Sequence, residues 1–311
     1  MKKLVLAGLA LAALGDAASA ADRPVKAPYQ PPAPPPVYGW TGFYIGVNAG
    51  GGWDRRDVVE SLTSSFCNTT LGGCGTGAFS AAANSALPPA FPVRSSGFIG
   101  GGQLGYNYQT GAVVWGVEAD FQGANIHGSN VQSLTAVPPG FGGIGNTVTI
   151  AGVADKKLDF LGTVRGRVGV AFDPLLPVLL YATGGFAYGH VSSNTTLTEV
   201  VGGPCFCGLP AAATGSISTT RTGWSAGAGG EWAFSPALSV RVEWLHYDLG
   251  TPSYGLTPLT QLNGAGVPFF GISTVSSTTF RGDIVRAGLN WKFGGGYGGP
   301  SGYGGPGYPA Y

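Results

Sequence analysis

Eight stretches of the chain alternate apolar with small or polar residues, each holding its phase for five or more positions. In the last of them Val285, Ala287, Leu289, Trp291 and Phe293 share one phase, and Ile284, Arg286, Gly288, Asn290 and Lys292 share the other. Side chains of a strand point alternately to opposite faces, so a stretch of this kind turns one face to lipid. The strands are predicted near 40–53, 96–109, 112–124, 157–172, 178–190, 220–234, 237–249 and 280–293.

The connections alternate in length. Thr110-Gly111, Asp173 to Pro177 and Ser235-Pro236 are tight, whereas 54–95, 125–156, 191–219 and 250–279 are long. Short turns toward the periplasm and long loops toward the outside produce that alternation. The reading is an all-β fold: an eight-stranded antiparallel up-and-down transmembrane β-barrel, spanning residues 40–293, with short periplasmic turns and long extracellular loops. No apolar run after the N-terminal segment approaches the roughly 20 residues of a transmembrane helix. A spanning sheet must close on itself, because lipid cannot satisfy an open edge.

Threading the strands up and down sorts the aromatic residues by depth. Trp40, Tyr108, Trp115, Phe172, Trp232, Trp291 and Phe293 fall near the periplasmic rim, and Trp53, Phe98, Phe121, Phe160, Tyr188, Trp224 and Trp244 near the outer one. Two girdles of this kind belong to membrane barrels.

The inward phase carries the charges: Glu118 and Asp120 on the third strand, Arg165 and Arg167 on the fourth, Glu231 on the sixth, Arg241 and Glu243 on the seventh, Arg286 and Lys292 on the last. An eight-stranded barrel has an interior just wide enough for side chains to fill it. Unpaired charges there would be costly, so these groups are expected to pair across strands and plug the lumen. The alternative is a narrow gated pore lined by charged rings.

Composition bounds the rest. The sequence opens with Lys2 and Lys3, an apolar run from Leu4 to Leu14 and the small-x-small site Ala18-Ser19-Ala20, which reads as an export signal, residues 1–20, cut after Ala20. Without Lys2, Lys3 and Asp16, fourteen basic and fourteen acidic residues remain, so there is no basic excess and nucleic acid is not an expected partner. Glycine is abundant, at 56 of 311 residues, as suits strands packed around a narrow lumen. Residues 21–39 read as a proline-rich periplasmic linker, and 294–311, rich in Gly, Tyr and Pro, as a disordered tail whose tyrosines could contact peptidoglycan or a partner.

No cofactor, metal or catalytic residue is expected. Gly223-Trp224-Ser225-Ala226-Gly227 has the spelling of a nucleophile elbow and Gly100 to Gly105 that of a dinucleotide loop, yet strand alternation runs through both. His127, His190 and His246 are scattered near the outer ends of strands, with no spacing that argues for a lipid hydrolase. Cys67, Cys74, Cys205 and Cys207 lie outside the alternating runs. In an exported protein they are expected as disulfides, with three connectivities open, ahead of a four-thiol metal site.

Three segments carry a family resemblance: Val37-Tyr38-Gly39-Trp40-Thr41-Gly42-Phe43-Tyr44-Ile45-Gly46, Leu180 to Gly189, and Val242-Glu243-Trp244-Leu245-His246-Tyr247-Asp248-Leu249-Gly250. With them the chain, from about Pro24 to Phe293, resembles the outer-membrane immunogenic protein family, opacity-type eight-stranded barrels of Gram-negative bacteria. The long loops share no such likeness.

The resemblance implies an antigen-like structural protein of the cell outer membrane, non-enzymatic, with weak small-solute porin activity at most. An adhesin or ligand-binding surface protein working through its loops is the alternative, and a lipid-modifying enzyme a third reading. The implied partners are outer-membrane lipid and lipopolysaccharide, the barrel assembly machinery, and peptidoglycan or a host surface. Such barrels end on an aromatic that the assembly machinery reads; here Phe293 holds that place and eighteen residues follow it.

Overall fold

The computed structural model describes residues 38–67, 76–140, 145–172, 177–204, 210–263 and 265–293. The export signal with Ala20, the proline-rich stretch up to residue 37, Cys74, Cys205, Cys207 and the tail after Phe293 lie outside them, and Cys67 is described only as the last backbone position of a strand.

Eight strands form the barrel: β1 (Gly42–Asp54), β4 (Ser95–Thr110), β5 (Val113–Ala136), β6 (Thr147–Ala171), β7 (Val178–Gly202), β8 (Ala211–Ala233), β9 (Leu238–Asp248) and β13 (Arg281–Phe293). Each pairs antiparallel with its neighbours, and β1 closes the ring by pairing with β13 on one side and β4 on the other. Closure leaves no open edge in the spanning zone. The hairpins at the narrow end follow from local chemistry. Gly111 takes the left-handed conformation, φ 61°, between β4 and β5. Between β8 and β9 the Ser235 hydroxyl accepts hydrogen bonds from the amides of Ala237 and Leu238, at 3.3 and 3.0 Å.

The outward phase is the lipid face. Phe43, Val47, Leu104, Val117, Val164, Leu180 and Val242 stand exposed around the wall, with Tyr108, Trp115, Phe172, Trp232 and Trp291 toward the turns and Phe98, Phe121, Trp224 and Trp244 toward the outer end. Trp40 departs from the expected periplasmic girdle. It is 2% exposed and sits inside the barrel mouth, its amide bonded to Gln109 Oε1 at 2.7 Å and its ring edge-on to Tyr38. Trp40 precedes the first ladder residue of β1, so strand alternation does not fix its direction.

The long loops are the larger correction. β5 to β8 run for 23–25 residues, against 11–16 for the other four barrel strands. Most of 125–156 and 191–219 is therefore strand, not loop. The remaining two segments fold as well. Residues 54–95 contribute β2 (Val58–Cys67), helix α1 (Thr76–Ala86) and β3 (Ala90–Phe91), while 250–279 contribute β10 (Ser253–Gly255), β11 (Leu259–Leu262) and β12 (Pro268–Thr278). In this second sheet β12 lies between β10 and β2, β3 follows β2, and β11 also pairs with β12.

The physical reason is an inversion of chemistry on an unchanged geometry. Along β7, Leu180, Ala182, Phe186 and Tyr188 point outward in the lipid zone, but past His190 it is the inward positions Val191, Leu197 and Val201 that are apolar and buried. Lipid wants apolar side chains outside; water wants them inside. The inner face of this four-stranded wall packs against α1 and the second sheet around Phe79, Phe91, Ile150, Leu197, Phe270 and Ile272. At that level an ordinary apolar core, closed by a helix and a second sheet, is built on a membrane barrel.

Candidate functional site in the barrel interior

The inward phase inside the spanning zone builds three layers. Nearest the turns, Trp40, Val114, Leu179, Tyr181 and Ala233 form an apolar stopper. Toward the outer end Ile99, Leu161, Leu245, Tyr247, Phe280 and Ile284 form a second. Between them lies a charged layer: on β5 the charges fall between positions that feed the two stoppers, and on β9 they precede those that feed the outer one. On β5 the order is Val114, Glu118, Asp120, Ile126; on β9 it is Arg241, Glu243, Leu245, Tyr247.

Four carboxylates and four guanidinium groups meet there. Arg165 is the hub: its Nη2 lies 2.7 Å from Glu118 and 2.8 Å from Asp120, and its Nη1 3.1 Å from Glu243 on the far wall. Arg286 reaches Glu243 at 2.5 Å and Asp120 at 2.8 Å. Arg241 pairs with Glu118, and Arg167 with Glu231 at 2.8 Å. Arg165, Arg241 and Arg286 are each 1% exposed. Charges this deeply buried need hydrogen bonds from several directions; Arg165 and Arg286 have them, whereas Arg241 bonds Glu118 alone and its Nε and Nη2 meet no partner among the described residues. Lys292 takes no part in this set. It lies nearer the turns, where its ammonium donates to the Gly39 carbonyl and sits 4.2 Å from the Tyr38 ring centre.

Sequence pattern did not single out the neutral partners. Tyr44 donates to Glu118 at 2.7 Å and accepts from Arg167 at 3.0 Å; Tyr181 donates to Glu243 at 3.2 Å, with the Arg167 guanidinium 4.0 Å from its ring centre. Glu231 accepts from Ser239 at 2.5 Å and from Asn290 at 2.8 Å. Asn290 in turn accepts from Gln103, which accepts from Asn48. The available signal was two tyrosines standing in an otherwise polar inward phase. Glycine makes room for them: a Cβ on Gly105 would come within 2.5 Å of the Tyr44 ring, and one on Gly46 within 2.3 Å of Asn290.

Above the outer stopper Asp54 and Lys156 form a further buried pair at 2.6 Å, with the Lys156 ammonium 4.9 Å from the Phe280 ring centre. Ser225, in the nucleophile-elbow spelling, is buried in a continuous strand that pairs with β7 and β9. His246 pairs with Asp283 at 3.0 Å on the outer wall, while His190 contacts Ser218 and Thr220. Among the described residues no three His, Cys, Asp or Glu side chains group as a metal site.

A closed ring of alternating strands, apolar outside and charged within, with aromatic residues at both rims, defines a β-barrel of the bacterial outer membrane. Residues 7–293 match the family described as outer membrane protein beta-barrel domain. The 31 kDa outer-membrane immunogenic protein of Brucella melitensis is 33% identical over 296 residues, covering 94% of this chain and all of its own length. The 25 kDa outer-membrane immunogenic protein of Brucella abortus is 25% identical over 268 residues, covering 85% of this chain and 92% of its own. Among solved structures, the outer membrane protein OprG from Pseudomonas aeruginosa shares 11% identity at a TM-score of 0.35, covering 83% of this chain and 99% of that one. The chain belongs to the outer membrane protein beta-barrel domain family, and its place is the cell outer membrane.

Proposed function

We propose that this chain is a closed, non-conducting barrel whose work is to hold a folded sheet-and-helix unit on the cell surface. The observation that carries the reading is the sealing of the charged layer between two apolar stoppers. A solute crossing the lumen would have to part Trp40 and Tyr181 at one end and Tyr247 and Phe280 at the other, then break ion pairs in which the central arginine touches three carboxylates. The weak porin activity implied by the family resemblance does not fit this interior. Liposome swelling with small sugars tests it: vesicles carrying the refolded chain should swell no faster than empty ones, and sugar-dependent swelling would return the pore reading.

A second reading, surface attachment, is favoured by apolar side chains left exposed on the outer unit. Leu62 and Phe66 on β2 are each 43% exposed, and Val131 on the outer half of β5 is 65% exposed. Replacing all three with serine should reduce adhesion of expressing cells to a host surface while the barrel still folds; unchanged adhesion would remove this reading.

A further inference from the structure

At the outer ends of β13, β1 and β4 the lipid face gives way to arginine. On β1 the outward phase runs Phe43, Ile45, Val47, Ala49, Gly51, Trp53 and then Arg55; on β4 it runs back from Leu104 through Phe98 and Ser96 to Arg94; on β13 from Leu289 through Val285 and Asp283 to Arg281. The ladder sets these ends side by side, since Asp54 pairs with Ser95 and Trp53 pairs with both Ser96 and Asp283. Arg55, Arg56 and Arg94 are exposed and form no ion pair among the described residues. The nearby carboxylates are mostly engaged: Asp248 holds Arg281, Asp283 holds His246, and Asp54 holds Lys156, leaving Asp57 exposed beside the arginines.

The cluster is built rather than incidental to a loop. Asp54, 2% exposed and anchored by Lys156, accepts the Arg56 amide on one oxygen at 2.9 Å and the Arg281 amide on the other at 3.2 Å. One buried carboxylate thus fixes the backbone at two corners of the cluster. The depth is set by the same strands. The arginines follow the last exposed apolar residue or the rim tryptophan by two to four positions, which is about 7–13 Å along a tilted strand. At a tilt near 40° that is roughly 5–10 Å along the barrel axis, which begins within the layer of lipid headgroups, about 5–8 Å thick on each side of the hydrocarbon.

We propose that Arg55, Arg56 and Arg94, with Arg281 beside them, grip the phosphate groups of outer-leaflet lipid headgroups. Guanidinium is the side chain suited to phosphate, because its planar donors bind two oxygens at once. A headgroup is the fitting source, since the acyl chains below it would lie along Phe98, Val285 and the rim around Trp53. The collar would tie one side of the barrel to the leaflet and set its depth.

The test uses the refolded full chain in detergent micelles, with native mass spectrometry reading retained lipid. Diphosphorylated lipid A should be retained about tenfold more strongly than its dephosphorylated form, and added salt should weaken the difference. The triple variant Arg55→Gln, Arg56→Gln, Arg94→Gln should lose that preference while still shifting on a gel when heated, which shows that the barrel has folded. The matching triple lysine variant should keep part of the preference, since charge survives without the planar fork. Equal retention of both lipids by the wild type, or an unchanged preference in the folded glutamine variant, would overturn the proposal. Tight binding of heparin with no preference for phosphorylated lipid would assign the collar to a soluble polyanion instead, and would equally overturn it.

Discussion

The chain encloses two interiors with the same strands, and fills them in opposite ways. Inside the spanning zone the inward phase is charged and every group of the central layer is drawn into ion pairs; in the outer unit the inward phase supplies an apolar core around a few buried polar groups such as Thr195 and Glu199, with α1 and a second sheet supplying the opposing face. The barrel geometry is thus indifferent to what it encloses. The surroundings decide. Where the outward phase is committed to lipid, the interior must take the polar residues; where the outward phase meets water, an ordinary hydrophobic core becomes available.

The two interiors should fail differently. Replacing Arg165 with alanine removes one of the two guanidinium groups that Glu118, Asp120 and Glu243 share, leaving Arg286 to hold three crowded carboxylates. A loss of about 3–5 kcal/mol is expected. It would be read as a lower urea midpoint for the whole barrel in micelles, together with a lower temperature for the gel shift. Phe270→Ala removes a fully buried ring from the outer core, at a comparable local loss of about 3–5 kcal/mol. Here the contrast is in reach: protease should cut within residues 58–67 or 268–278, while the heat-shifted mobility of the barrel stays as in the wild type. Global unfolding of the barrel by this second variant would mean that the two interiors form one cooperative unit.

A smaller effect separates them by pH. Glu199 lies on the outer half of β7, beyond the spanning segment, fully buried and with neither carboxylate oxygen hydrogen-bonded among the described residues. Burial pushes its pKa up to about 8. The folded chain therefore retains a proton that the unfolded chain gives up near 4.5, so the outer unit loses stability as pH rises between about 4.5 and about 8. The loss across that window is bounded by roughly 5 kcal/mol, and the fall expected is a fraction of that bound. Protease resistance of the outer unit should fall between pH 5 and pH 9 in the wild type and stay level in Glu199→Gln; parallel pH curves for the two proteins would contradict the assignment. Smallest of all, Lys157→Ala breaks the half-exposed pair with Asp159 and should cost under about 1 kcal/mol, within the error of a urea titration.

How far the sequence carried the account follows the same division. The eight spanning strands and their lipid-facing residues were legible because alternation of this length has one natural home once it is paired with short turns. The charged interior was legible because Glu118, Arg165, Glu243 and Arg286 stand in one phase of those strands. The outer unit was not. Its apolar residues sit in the opposite phase, as with Val191 and Leu197, so a search for outward apolar faces ends at the membrane. Its second sheet joins segments far apart in the chain, Cys67 opposite Phe270 and Val58 opposite Thr278, a pairing that no short turn between them announces. Tyr44 and Tyr181 escaped notice for a related reason: aromatic residues in a barrel wall suggest a girdle, and only the fold shows that these two hydrogen-bond carboxylates.

A filled and sealed lumen carries no current, which planar-bilayer recording on the refolded full chain reads without an intermediate step. Wild-type protein inserted in the outer-membrane orientation should leave a flat baseline across the working voltage range. Stepwise openings from the wild type, abolished by heating the sample before insertion, would contradict it.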